Sequence, residues 1–164
     1  MQQPTIAING IAFGGGCEIA MACDVHVAST NARFGQPEIK LGIISGWGGT
    51  QGLPHLIGRS AAMELLLTGD PIDSARALAL GLVSRVVEPE TLLGAARDIA
   101  GRFAAQAPLA VGATKRAVSE GLDRPLAEAL EIERGEFVGL FPSDDACERR
   151  HHVPGEAAPS WTGR

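Results

Sequence analysis

The feature that most constrains this chain is a short apolar run, Thr5-Ile6-Ala7-Ile8, followed at close range by Gly14-Gly15-Gly16 and then by Cys17-Glu18. Such a run suits a buried strand, and Asn9-Gly10 ends it. Glycine tolerates backbone angles closed to other residues, so the triplet marks a sharp corner. From Cys17 to Cys23 the apolar residues recur as on a helix, Asp24 to Ala28 reads as a strand, and Ala32-Arg33-Phe34-Gly35 as another. The opening is therefore strand, glycine turn, helix, strand.

A second glycine turn, Gly46-Trp47-Gly48-Gly49-Thr50, leads into a helix with Leu53, Leu56 and Ile57 on its apolar side, closed by Gly58. Ser60 to Leu67 is helical. Asp73 caps a helix over Ser74 to Leu80 that Gly81 ends, and Val83 to Val87 is a strand. Three helices follow. Leu92, Leu93, Ala96, Ile99, Ala100 and Phe103 share a face, Pro108 suits a first helical turn, and Leu126, Leu130, Phe137 and Leu140 recur at helical intervals. From Arg149 the apolar periodicity stops, and a loose tail is expected. The organisation predicted is an α/β core over 1–88, a helical region over 89–148 and an irregular tail over 149–164.

Composition narrows the function classes. With 14 Lys and Arg against 19 Asp and Glu the net charge is -5, and no basic block exists to attract nucleic acid. At 45% hydrophobic and 20% charged residues the chain reads as globular. Apolar stretches are broken well before bilayer length and no signal core opens the chain, so a cytosolic protein without a membrane partner is expected. Cys17, Cys23 and Cys147 form neither a disulfide framework nor a metal-ligand pattern.

A strand feeding a glycine turn that opens a helix leaves unpaired N–H groups where the helix dipole favours negative charge. The alternative is a merely flexible turn. Phosphate motifs fail: no Gly-Lys-Ser/Thr follows, and the third glycine of a dinucleotide fingerprint falls on Ile19. The remaining use is an oxyanion hole. Glu18 either complements the dipole of its own helix or acts as an acid or base at a dry pocket edge. Glu38, its approach fixed by Pro37, is either a solvated loop acid or a second catalytic carboxylate. Cys17 has no histidine placed to activate it and suits a small buried residue. Trp47 either walls a pocket or packs, His26 reads as structural, and His151-His152 as polar.

The motifs "AINGIAFGGGCEIAMACDVHVAS", "ARFGQPEIKLGIISGWGGTQGLPHLIG" and "LLLTGDPIDSARALALGLVSRVV", in that order and followed by helices to "SDDACE", resemble the crotonase superfamily, in particular its enoyl-CoA hydratase branch. The resemblance spans Thr5 to about Glu148. It implies a partial crotonase-like ββα spiral core followed by C-terminal helices that support a homotrimer or a dimer of trimers. It implies an acyl-CoA thioester substrate and no separate cofactor. It carries the oxyanion N–H to Gly15 and the two catalytic carboxylates to Glu18 and Glu38, with Gly14, Gly16, Pro37, Gly46 and Trp47 around the substrate. The implied reaction is syn hydration of a 2-enoyl-CoA; an isomerase, which often keeps one of the two carboxylates, and a fragment that only oligomerises are the alternatives.

Against the family pattern the chain starts late, after the segment carrying the first strands, the other oxyanion N–H and much of the CoA surface. Ser45 stands where the family usually has Pro, and Gly52 and His55 where it has Arg; either a loop stiffener and two cations near the second glycine turn are lost, or the exchanges are neutral. The stretch Arg149 to Ala157 keeps the family's flanks and length but not its middle, as a compensated frame shift would produce.

Overall fold

The computed structural model describes residues 5–151 and 161–164. They fall into two compact units, within residues 2–100 and 101–164.

In the first unit β1 (Thr5–Ile8) and β2 (Ile11–Phe13) lead into helix α1 (Gly15–Met21), followed by β3 (Val25–Ser29) and β4 (Arg33–Gly35). A 3-10 turn over Pro37–Leu41 precedes α2 (Gly49–Ile57) and α3 (Arg59–Thr68). Then come β5 (Ile72–Asp73), α4 (Ser74–Leu80), β6 (Arg85–Val87) and α5 (Leu92–Ala104). Two three-stranded sheets result. One is wholly parallel, in the order β1-β3-β6; the other runs β2-β4-β5 and pairs β4 antiparallel with β5.

Alternation along β3 explains why the parallel sheet is buried on both faces. Ala28 joins a core with Ile8, Phe34, Leu53, Ala62, Leu65 and Ala77. Its neighbour Val27 points the other way, onto Leu92 and Ile99 of α5. His26 ties strand to loop, with ring nitrogens 2.8 Å from Leu82 O and 2.9 Å from Cys23 O, so its expected structural role matches its surroundings.

Two boundaries differ from expectation for local reasons. Gly14, at φ 51° and ψ -124°, makes the corner one step early, so Gly15 and Gly16 are already helical. The strand expected from Val83 begins at Arg85, because the N–H groups of Leu82 and Val83 both turn back to Ala77 O behind the left-handed Gly81.

The second unit contains α6 (Pro108–Gly121), α7 (Leu126–Leu140) and a further helix, α8 (Asp144–His151). Helix therefore continues past Arg149, where a loose tail is expected. The last residues also depart from that expectation. The buried Asp145 carboxylate accepts from Thr162 N at 2.6 Å and from Gly163 N at 3.1 Å, and Trp161 Nε1 donates to Ala105 O at 2.9 Å. Residues 152–160, with most of the aberrant segment and His152, lie outside the described residues. Among the described residues no helix is long and apolar enough to cross a membrane.

Candidate active site

Within the glycine corner, Gly14 is the position that no side chain could occupy. Gly14 donates its N–H to Gly35 O at 3.0 Å, and a Cβ on it would lie 2.5 Å from Glu38 Oε1. It contributes room, not a free donor. Gly15 is the first residue of α1, where an N–H has no acceptor within the helix. The Trp47 ring lies over it, 3.7 Å from where a Gly15 Cβ would stand.

Glu18, one turn into α1, is 7% exposed. Its Oε1 accepts from Trp47 N and Gly49 N, both at 2.8 Å. Gly49 is the first residue of α2, so the carboxylate caps that helix, not its own, and clamps the second glycine turn against the first. Oε2 makes no hydrogen bond to the described residues, and Glu18 lines an open cleft. No side chain fits at Gly49: a Cβ would meet Ser45 Cβ at 2.8 Å, and Gln36 Nε2 and Glu18 Oε1 at 2.9 Å.

Glu38 sits in the 3-10 turn that Pro37 opens. Its Oε2 lies 3.1 Å from Ser45 Oγ, which also lies 3.0 Å from Gln36 Oε1. On the outer side of the turn Lys40 pairs with Asp70 at 2.7 Å.

The cleft between these groups encloses about 340 Å³ and is lined by Gly15, Glu18, Glu38, Ile43, Ile44, Gly46 and Trp47. An amide that has no partner among the described residues, two carboxylates and an apolar wall thus meet in one place. Trp47 is 80% exposed, so its indole walls the cleft rather than packing in the core. Gly16 and Pro37 shape the approach without lining it. Cys17 is buried; removal from water pushes its thiol up to about 11, and the charges of Glu18 and Glu38 push the same way, so it stays a neutral packing residue. Among the described residues no group of three or more His, Cys, Asp and Glu could hold a metal ion.

Ser45 and Gln36 are the residues that sequence reading missed. Both are buried polar groups: Ser45 bonds Glu38, and Gln36 bonds Ser45, contacts that a Pro at position 45 could not make. Nothing local marks Gln36, which looks like any polar residue leaving a strand. Ser45 differs: a hydroxyl amid Ile43, Ile44 and Trp47 is a polar atom in apolar company and needs a partner.

The family described as Enoyl-CoA hydratase/isomerase matches residues 1–164. A crotonyl-CoA hydratase from Syntrophomonas wolfei is 47% identical over 149 residues, covering 90% of this chain and 57% of that protein. An (E)-benzylidenesuccinyl-CoA hydratase from Thauera aromatica is 51% identical over 164 residues, 99% of this chain and 64% of that one. Among solved structures, an enoyl-CoA hydratase from Bacillus anthracis superposes with a TM-score of 0.96 at 39% identity, covering 99% of this chain and 63% of that one. The chain thus spans about six tenths of the length of these relatives.

Proposed function

The chain belongs to the enoyl-CoA hydratase/isomerase family, and from that premise we propose that its cleft adds water, syn, across the 2,3 double bond of a 2-enoyl-CoA thioester. The observation that carries this reading is the pair of carboxylates, Glu18 and Glu38, lining one cleft with the Gly15 amide. An isomerase needs only one acid-base group to move a proton, whereas hydration needs one group to take a proton and another to give one.

In the reaction, Oε2 of Glu18 takes a proton from water as the water oxygen bonds to C3. The electron pair of the double bond moves to the thioester oxygen, where the Gly15 N–H stabilises it. Glu38 then delivers its proton to C2, and exchange with solvent resets both acids. Oε1 of Glu18 is held by two main-chain amides, which fixes the direction in which Oε2 faces. Only protons and water move, so the reaction as written calls for no redox group or metal. Ile43, Ile44 and Trp47 provide an apolar wall for the acyl part.

The test follows the loss of conjugated-thioester absorbance with crotonyl-CoA. Glu18→Gln and Glu38→Gln are each expected to cut the rate by about a hundredfold to ten-thousandfold while the protein stays folded. A folded chain in which both variants match the parent rules the reading out.

A second reading, oligomerisation without catalysis, draws on α7, which has no buried residue and exposes Leu126, Leu130, Phe137 and Val138. Assembly itself is compatible with catalysis, and a cytoplasmic homotrimer or dimer of trimers is part of the proposal; an assembled chain that leaves crotonyl-CoA unchanged would favour the second reading.

A further inference from the structure

We propose that Trp47 selects the acyl group of the substrate, and that the group it selects is uncharged and aromatic: a 2-enoyl-CoA with an aryl ring on C3. The inference rests on the reading above and names the substrate class of that same cleft.

The chain has two Trp, five Phe and no Tyr, yet it leaves the indole of Trp47 80% exposed inside the cleft that holds both acids. A large apolar side chain in water beside reacting groups is a surface for a ligand. Trp47 is also fixed at both ends. At its root the main-chain N–H donates to Glu18 Oε1 at 2.8 Å. At its tip Cε3 and Cζ3, on the six-membered ring, lie 3.7 and 3.8 Å from where a Cβ on Gly15 would stand. One residue therefore adjoins both the donor for the thioester oxygen and the base that directs water to C3. A substituent on C3 leaves the reacting carbon beside that indole, with Ile43 and Ile44 extending the wall.

Two properties of the wall decide what the substituent is. An indole face pairs with another aromatic ring, offset or edge-on, and gains more than the burial of area that an alkyl group also obtains. The described lining of the cleft contains the carboxyl groups of Glu18 and Glu38 and no Lys, Arg or His. Lys40, on the Glu38 turn, is engaged by Asp70 at 2.7 Å. A carboxylate on the acyl group would lose its water, meet two acids and find no countercharge.

The experiment uses saturated thioesters, which lack the 2,3 double bond and cannot be hydrated, and reads their Kd by calorimetry. 3-Phenylpropanoyl-CoA and 3-cyclohexylpropanoyl-CoA have the same number of carbons and bury similar area, so their ratio isolates stacking. The phenyl compound is expected to bind the parent about fivefold more tightly. That ratio is expected to fall to about one in Trp47→Leu and to persist in Trp47→Phe, each checked for folding by circular dichroism. Both variants keep the main-chain N–H that holds Glu18. 3-Carboxypropanoyl-CoA is expected to bind about tenfold more weakly than butanoyl-CoA. Equal binding of the phenyl and cyclohexyl compounds by the parent overturns the inference. So does a phenyl preference that survives Trp47→Leu, a carboxylated chain that binds more tightly than butanoyl-CoA, or a chain that binds none of these thioesters. Hydration of crotonyl-CoA is followed separately. Turnover without a phenyl preference sinks this inference alone, and a phenyl preference without turnover sinks the hydratase reading alone.

Discussion

Gly49 concentrates the logic of the site in one residue. Its N–H holds Glu18, and its missing side chain leaves the space where Glu18, Gln36 and Ser45 meet. Because the methyl of Gly49→Ala would stand 2.8 to 2.9 Å from three of their atoms, the variant must push at least one away. Displacing a reacting group by about 1 Å can cost a hundredfold in rate. The expected outcome is a fall of about that size in crotonyl-CoA hydration; an unchanged rate in a folded variant counts against Glu18 as the base. Gly14 and Gly49 are legible as turn glycines from their neighbours, but the crowding that forbids a side chain is not. The atoms that crowd Gly14 come from Glu38, and those at Gly49 from Glu18, Gln36 and Ser45, none adjacent in the chain.

Among the elements, those defined by a local stop and start agree best with the sequence. Asp73 Oδ1 accepts from Arg76 N at 2.8 Å and Gly81 closes α4 in the left-handed region, as the pattern predicts. Asp73→Ala is expected to lower stability by about 1 kcal/mol, read as a small drop in melting temperature with no change in fold. If melting is unaffected, the cap contributes nothing to folding. Elements whose ends depend on partners elsewhere are read less well. β6 starts late because Ala77 O captures two amides, and α8 is invisible to apolar periodicity because it is mostly charged. Ser143, whose Oγ accepts from Ala146 N at 3.2 Å, and the acidic first turn of Asp144 and Asp145 are the local signs of where α8 begins.

At the scale of the molecule, exposed apolar surface on α7 asks for a partner, and a second copy of the chain is the simplest one in the proposed assembly. Phe137 is 59% exposed and Val138 57%. Phe137→Glu places a charge on that face and is expected to shift sedimentation from the assembled species to the monomer, with α-helical content retained. An unchanged sedimentation profile would assign the face another role.

The sequence alone determined the strand, glycine turn and helix order and the caps, because these rest on periodicity and on backbone freedom within a few residues; the two candidate acids came from the family resemblance of the motifs that hold them. Only the tertiary structure decided what the acids meet. Glu18 meets the amides of Trp47 and Gly49 across 29 and 31 residues, and Glu38 meets Gln36 through Ser45. Hydrogen bonds between residues distant in the chain exist only once the core has brought α1, the 3-10 turn and the second glycine turn together, and no local pattern encodes which polar atom will find which.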